Sequence, residues 1–200
     1  MSDSATKPGL QKLAVPLAPI LPRLELAPGH QVLLDGAMDA AAGLDRLAAA
    51  GAMPEAVRLV AHALPRREAV WWCCMCARGA PDPNLPPADA EALLAAEAWV
   101  RKPGDAAGRA AMECAQRTAF RSPEAWAAVA AFWCGESMAP VGQPAVPAAP
   151  HMPGVAVAGG VVLAAVRYRP ERAEIRFSRF LAAARDIAVG GAGRIPPEEG

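Results

Sequence analysis

The chain has 200 residues, of which 54% are hydrophobic but only 5% aromatic, and its 20 basic residues balance 20 acidic ones. This length suits one domain, and the zero formal charge excludes a strong basic field that would steer the chain onto nucleic acid or an anionic membrane. Much of the apolar content is alanine, the residue with the highest helix propensity. The composition therefore predicts an all-α protein that binds no nucleic acid.

Residues 1–32 are predicted to form a disordered or extended lead-in, because five prolines interrupt them and no helical period is present. Lys12 and the prolines also break the early apolar residues, so this segment does not read as a secretory signal. The longest later apolar run, Val155 to Val166, is far shorter than the ~20 residues that span a bilayer, and we interpret it as a buried helix. We therefore expect a cytoplasmic protein without membrane insertion.

The rest of the chain predicts eight helices in succession. Proline or an acidic residue opens several of them, and the triplet Ser122-Pro-Glu124 is the clearest start signal, with a side-chain cap, a proline and an acid in order. Glycine or proline ends most of them. The predicted spans are residues 36–49, 54–64, 66–78, 87–100, 105–119, 123–134, 155–167 and 170–188.

These helices predict a single domain over residues 33–190, with a Pro-rich loop at 138–153 inside it and a loose Gly/Pro-rich tail at 191–200. Short helices with short connections favour a compact bundle of about seven to eight helices arranged as helical hairpins. The hairpin at residues 36–64 also suits a helical-repeat unit. Since no fixed repeat period is found, a solenoid is the second choice.

A cysteine cluster lies in the predicted helix at 66–78, where Cys73, Cys74 and Cys76 follow two tryptophans. That helix is apolar nearly all round, which is typical of a central helix, and free cysteine packs as a small hydrophobe. A zinc site wants four ligands, whereas Cys114 and Cys134 stand singly in other helices. We interpret the cluster as core without a metal or other cofactor; the alternative is a thiol or zinc-binding protein.

One acidic residue, Glu97, falls within an apolar stripe of its predicted helix. A buried carboxylate needs a partner or a raised pKa, so Glu97 is either part of an internal ion pair with an arginine or part of a site. We favour the ion pair. The sequence offers no nucleophile paired with a base, and we therefore expect that the protein is not an enzyme.

Two features of the last two helices allow alternatives. Arg172, Arg176 and Arg179 line one side of the final helix, as either an anionic docking strip or, our preferred interpretation, a solvated charged face. Gly159 and Gly160 lack the setting of a phosphate loop and favour close approach of a neighbouring helix, or a kink.

The best candidate for a partner-binding surface is Trp71, with Arg67 and Arg78 beside it on the same helix. Tryptophan and arginine are typical anchors of protein interfaces. The competing interpretation is that Trp71 is buried in the core, as its neighbours are.

Several blocks of the sequence resemble an uncharacterised bacterial family of alanine-rich, all-helical proteins of about this size. The resemblance covers about residues 33–190. The blocks that carry it are Ala56-Val-Arg-Leu-Val-Ala-His-Ala-Leu-Pro-Arg-Arg-Glu-Ala-Val-Trp-Trp72, Ala96-Glu-Ala-Trp-Val-Arg-Lys-Pro103, Trp126-Ala-Ala-Val-Ala-Ala-Phe-Trp133 and Met138-Ala-Pro140.

Members of the family that this chain resembles are often encoded near type VI secretion genes, including those of PAAR-like spike-tip proteins. The resemblance implies a non-enzymatic cytoplasmic accessory, adaptor or chaperone whose partner is another protein, such as a spike-tip or effector protein. It also implies a small residue at the positions of Cys73 and Cys134, which opposes a metal role for the cysteines.

Overall fold

The computed structural model describes residues 10–196 and residue 198; predictions for residues 1–9, 197, 199 and 200 lie outside this part of the chain. Within it the fold is all-α, as predicted, and the extended pairing is limited to one bridge between Pro16 and Asp39. Short 3-10 helices lie at Gln11–Leu13, Val32–Leu34 and Pro170–Arg172. The α-helices are α1 (Leu21–Leu24), α2 (Pro28–Gln31), α3 (Ala40–Ala49), α4 (Met53–Ala63), α5 (Arg66–Gly79), α6 (Pro87–Arg101), α7 (Asp105–Arg117), α8 (Pro123–Trp133), α9 (Met152–Val166) and α10 (Ala173–Ala188).

The predicted start of α8 is confirmed in atomic detail. The Ser122 hydroxyl accepts a hydrogen bond from the backbone N–H of Ala125 at 3.1 Å, and Pro123 is the first helical residue. The same hydroxyl donates to a carboxylate oxygen of Asp89 at 2.5 Å. One side chain therefore caps α8 and ties it to the first turn of α6.

Helix α3 begins at Ala40, four residues later than predicted. Gly36 has a left-handed φ of 72°, which turns the chain before the helix starts. Asp39 is the cap, since its carboxylate accepts the backbone N–H of Ala42 at 2.8 Å. The predicted start was too early because alanine on either side of the Asp39 cap has the same high helix propensity, so composition does not mark the boundary.

Helix α5 lies at the centre of the bundle and packs against α6, α8, α9 and α10. Trp72, Cys73, Cys74 and Cys76 are fully buried, which confirms the prediction that this helix belongs to the core. The one polar atom of the Trp72 side chain is satisfied, because its indole N–H donates to the Phe180 carbonyl at 2.8 Å.

Helix α9 packs against α4, α5 and α8, and a glycine permits the contact with α5. A Cβ atom built at Gly160 would lie 2.6 Å from the Cys73 sulfur and 3.2 Å from Cβ of Trp126. The predicted close approach is thus confirmed at Gly160, whereas a Cβ at Gly159 would meet nothing within 4 Å. Although α9 is strongly apolar, none of the helices in residues 10–196 is long and apolar enough to cross a membrane.

The lead-in differs from the prediction wherever the structure describes it. Residues 10–34 carry short helices instead of an extended or disordered chain, and Leu13, Leu17 and Leu24 are buried. Two of the prolines open helices, Pro22 in α1 and Pro28 in α2, rather than preventing them. The leucines between the prolines supply the burial that orders this segment.

The segment after α10 also differs from the predicted loose tail. Residues 190–196 and 198, here called the strap, lie along α5 and α10. The indole N–H of Trp71 donates to the Ala192 carbonyl at 2.8 Å, and the Ile195 side chain rests on Gly79. Glycine and proline in this segment therefore indicate an irregular path, not a lack of contacts.

The Pro-rich loop between α8 and α9 is held closed by one serine. The Ser137 hydroxyl accepts the backbone N–H groups of Ala139 at 3.1 Å and Val146 at 3.0 Å. The loop ends at residue 151, slightly before the predicted boundary at 153, because Pro153 takes an early position in α9.

Candidate functional site

The cysteine cluster of α5 has none of the features of a reactive thiol site. Burial raises the pKa of Cys73, Cys74 and Cys76, and the nearby Glu124 carboxylate raises that of Cys73 further. The thiolate is the form that binds metal and attacks electrophiles, so these thiols are held in the unreactive form. Among the described residues no group of three or more histidine, cysteine, aspartate or glutamate side chains could hold a metal ion.

The other two cysteines lie in separate elements and do not complete a ligand set with α5. Cys114 is half-buried in α7, and Cys134 is half-buried at the end of α8. Burial raises the pKa of Cys134 to about 11, opposed by the positive charge of Arg66. Neither thiol is therefore placed to share a metal ion with the α5 cluster.

The acid Glu97 forms the internal ion pair that the sequence predicted. Arg78 donates to both carboxylate oxygens of Glu97, through Nε at 2.5 Å and Nη2 at 2.9 Å. Glu97 is buried while Arg78 is about half exposed, and this pairing raises the pKa of Arg78. The pair links α5 to α6, and neither residue lines the cavities described below.

The three residues predicted as a partner surface are only partly brought together. Arg67 and Trp71 line a cavity of about 310 Å³, but Arg78 stands apart with Glu97. The Arg67 Nε donates to the Val100 carbonyl at 2.6 Å, and the Trp71 indole donates to the strap. The remaining lining residues are Lys12, Glu68, Val100, Arg101, Ile187 and Gly191.

All three predicted anchors thus donate hydrogen bonds to acceptors of the same chain. Trp71 is half-buried, which lies between the interface and the core interpretations. Arg67 holds α6 against α5 and Trp71 holds the strap against α5, and these contacts explain the positions of both side chains. A partner contact at Trp71 stays a prediction.

A larger concave surface lies on the outer side of α9, and we call it the α9 groove. Its volume is about 560 Å³, and it runs between α1, α4 and α9 with one aromatic wall from α8. It is lined by Arg23, Glu25, Pro54, Arg58, His62, Trp126, Val155, Ala158, Gly159, Val162 and Leu163.

The floor of the α9 groove is apolar and open to solvent. Helix α9 contains no polar side chain from Met152 to Val166, yet Val155 is 49% exposed, and Gly159, Val162 and Leu163 are only half-buried in the groove. The sequence pattern predicted a buried helix here and did not predict the groove. The signal was available: a fully apolar helix has no solvent-tolerant face, so any incomplete burial leaves an apolar patch.

The rim of the α9 groove is polar and carries more positive than negative charge. Arg58 donates to the Leu24 carbonyl at 2.7 Å and to Glu55 at 3.3 Å, which fixes its position. Arg23 has no ion-pair partner among the described residues. His62 lies beside them, and burial first, then His151 and Arg23, lower its pKa.

The arginines of the last helix are not a solvated charged face. Arg176 is only 1% exposed and binds both carboxylate oxygens of Glu198, at 2.6 Å and 2.9 Å. Arg172 and Arg179 lie 3.6 Å and 3.7 Å from the same carboxylate. Their hydrogen bonds and charges, led by those of Arg176, lower the pKa of Glu198. The strip is a carboxylate site that the strap occupies.

Sequence reasoning also missed a buried ion pair at the ends of three helices. Arg167, directly after α9, donates to Glu124 at 2.7 Å and to the Ala77 and Ala80 carbonyls at 2.5 Å each. Glu124 is 1% exposed, and its second oxygen has no hydrogen-bond partner in the described part of the chain. An acid in the first turn of α8 was visible in the sequence, but nothing local identified Arg167 as its partner.

These features define an all-helical bundle with a buried central helix, an apolar groove and an occupied carboxylate site. Residues 43–188 match the model of a family of unknown function, DUF6931, and the chain belongs to that family. Neither a curated protein nor a solved structure matches the chain. The resemblance to an uncharacterised family is therefore confirmed, while its link to type VI secretion stays a prediction.

Proposed function

We propose that this protein is a non-enzymatic interaction protein that docks an amphipathic helix of a partner protein in the α9 groove. The observation that carries the proposal is the exposure of apolar residues along α9, next to a cavity of about 560 Å³. Exposed apolar patches with a polar rim are typical of protein-binding sites, and an amphipathic helix is a common occupant of such grooves.

The charge of the rim indicates the chemistry of the docked helix. Arg23 and Arg58 lie at one side of the groove, and Arg23 is not neutralised by a described acid. An acidic side chain next to the apolar face of the partner helix would pair with Arg23. The partner is thus a helix with leucine- or valine-like residues facing Val155 and Val162 and an acid at its edge.

The cellular role that we propose is that of a cytoplasmic adaptor or chaperone for a type VI secretion apparatus, with a spike-tip or effector protein as its partner. Its support is the family resemblance of the sequence blocks described above. A chaperone of this kind would cover an apolar helix of its client until assembly. The α9 groove suits that task because it is preformed and open.

The proposal that the protein is not an enzyme is supported by the states of its candidate reactive groups. The thiols of α5 are buried with raised pKa values, and the Glu97 carboxylate is paired with Arg78. The same burial opposes the alternative of a thiol or zinc-binding protein, since metal ligation needs thiolates that can converge on an ion.

A single glycine allows a direct test of docking at the α9 groove. Because a Cβ atom at Gly159 meets nothing within 4 Å, a Gly159→Glu variant keeps the fold and puts a charge on the apolar floor. We expect the wild type to co-purify at a defined stoichiometry with the product of a neighbouring gene, and Gly159→Glu to lose that complex. Two variants should keep it: Gly159→Ala, and Ile175→Glu at an exposed apolar residue outside the groove.

The docking proposal is wrong if Gly159→Glu and the wild type capture the same product equally well. A chain that stays monomeric beside every neighbouring gene product contradicts the adaptor role itself. Circular dichroism of each variant, with its thermal midpoint, confirms that a lost complex reflects the groove and not unfolding.

A further inference from the structure

The strap runs over the surface between α5 and α10, and its second half has two side-chain anchors there. Ile195 contacts Gly79 of α5, and Glu198 contacts Arg176 and Arg179 of α10 and Arg172 just before that helix. Between these points the carbonyl of Pro196 accepts a hydrogen bond from Arg179. We call this surface the strap groove, and its groups are those of Trp71, Gly79, Arg172, Arg176 and Arg179.

The first contact is a niche that only glycine at position 79 permits. A Cβ atom at Gly79 would lie 2.6 Å from Cγ2 and 3.0 Å from Cβ of Ile195. No side chain larger than hydrogen fits between them, so the branched side chain of Ile195 rests directly on the helix backbone. This contact selects an aliphatic residue.

The second contact is a carboxylate site built before the carboxylate arrives. Arg176 is held by the α9 end, because its Nη1 donates to the Ala165 carbonyl at 3.1 Å and the Arg167 carbonyl at 2.6 Å. Its Nε and Nη2 then face outward as a fork that matches two carboxylate oxygens. A fixed guanidinium loses little freedom on binding, which favours a specific anion site.

The strap is tied to the end of α10 over its first half and is more open beyond it. Gly193 is buried, and its backbone N–H donates to the Asp186 carboxylate at 2.7 Å, while the N–H groups of Gly190 and Gly191 donate to carbonyls in the last turn of α10. Arg194 and Pro196, in the second half, are exposed. Gly190 and Gly193 have φ values of 96° and 64°, which glycine adopts at little cost. An irregular segment with few buried contacts opens locally at a low free-energy cost.

We propose that the strap groove is a binding site for an extended segment of a partner protein that carries an aliphatic residue and, three positions later, a carboxylate. The strap occupies this site within the same chain through Ile195 and Glu198, and the partner segment displaces it. The site shares no lining residue with the α9 groove. The inference therefore stands independently of docking at α9.

The test uses full-length protein and a fluorescein-labelled peptide with the sequence of residues 190–198, amidated at its end. In the wild type the tethered strap competes at a high effective concentration, so the peptide should bind weakly. In an Ile195→Ser/Glu198→Gln variant the strap is loosened while the groove is unchanged. Fluorescence anisotropy should show that this variant binds the peptide about tenfold or more tighter than the wild type does.

Changes in the peptide separate specific binding from simple stickiness without touching the fold of the protein. Peptides with Ile195→Ser or Glu198→Gln should each bind the loosened variant about tenfold more weakly, as expected for the loss of one anchor. A loosened variant that binds no tighter than the wild type overturns the proposal, as does binding that ignores both peptide changes. Adding Gly159→Glu to the loosened variant should leave peptide binding intact, so failure at the α9 groove is told apart from failure here.

Discussion

Helices α5 and α9 are both rich in apolar residues and were both predicted to be buried, yet they are buried to different degrees. Helix α5 carries charged residues only in its first turn and near its end, and α9 carries none from Met152 to Val166. Helix α5 is enclosed by four helices, and its thiols have no contact with water. Helix α9 is covered on the side of Gly160 and open on the side of Gly159.

An apolar helix is therefore not always a central one. The hydrophobic pattern of a helix sets how much of its surface can be buried, but the number of neighbouring helices sets how much is buried. The apolar residues of α5 are almost all buried, whereas valine side chains of α9 line an open cavity. Helix α5 belongs to the core, and α9 is the helix at which we propose that the partner docks.

The largest expected effect comes from the residue that joins the two helices. Arg167 follows α9 and binds the last carbonyls of α5 as well as Glu124. An Arg167→Met variant leaves the Glu124 carboxylate buried and unpaired, and we expect a loss of about 3–5 kcal/mol in the free energy of unfolding. Urea denaturation followed by circular dichroism measures it.

The control for this prediction removes both charges. An Arg167→Met/Glu124→Gln variant buries no unpaired charge, so it should recover a large part of the lost free energy. If the single and double variants are equally unstable, the ion pair is not what links α5 to α9, and the carbonyl contacts of Arg167 carry the effect.

The next effect separates the two sides of α9 with neighbouring glycines. Gly160→Ala forces a methyl group against the Cys73 sulfur and should lower the free energy of unfolding by about 1–3 kcal/mol. Gly159→Ala meets open space and should raise it by about 0.5–1 kcal/mol, because alanine is the better helix former. Chemical denaturation of both variants measures the contrast.

A double variant sharpens this prediction. Cys73→Ala removes the atom that the new methyl group would strike, so Gly160→Ala should cost less in that background. Equal costs in both backgrounds would show that the α5–α9 contact relaxes freely at this point, contrary to the close approach described here.

The smallest effect is a dependence on pH that the buried thiols of α5 contribute and that α9 cannot contribute. Burial raises the pKa of Cys76 above its ordinary value of 9.0, so the unfolded chain loses this proton first. The stabilising contribution is complete below pH 9 and is lost as the pH rises through the raised pKa. Each such thiol should cost about 1.4 kcal/mol between pH 8 and pH 10.

Replacing the thiol tests this dependence. Cys76→Ala and Cys76→Val should both lose about 1.4 kcal/mol less stability between pH 8 and pH 10 than the wild type does, although they pack differently. Substitutions in α9, which has no titratable side chain from Met152 to Val166, should leave the pH dependence unchanged. An unaltered dependence in both Cys76 variants would mean that water reaches the α5 thiol.

Local signals predicted the helices well because the forces that start and end a helix act within one turn. Ser122 and Pro123 open α8 as predicted, and Gly51 and Pro65 stand at the boundaries of α3 and α4. The prediction of an extended or disordered lead-in was wrong because proline has two opposite effects on helices. A proline such as Pro22 can break a helix or open one, and the burial of leucines around it decides which.

The candidate sites needed information that no local pattern holds. Glu97 was predicted to pair with an arginine, but the choice of Arg78 depends on how α5 packs against α6. The sequence predicted a solvated face for Arg176 and its neighbours because their partner, Glu198, lies beyond the last helix. The half-burial of Trp71 was equally hidden in the sequence, since the strap that covers it also lies beyond that helix.

The all-α class and most helix boundaries follow from the sequence alone, through propensity, capping and composition, which are summed over neighbouring residues. Which apolar helix is enclosed, which acids meet which arginines and where a groove stays open are set by the packing of the helices. Those outcomes depend on contacts between residues far apart in the chain, and a burial or pairing energy exists only once both partners are in place.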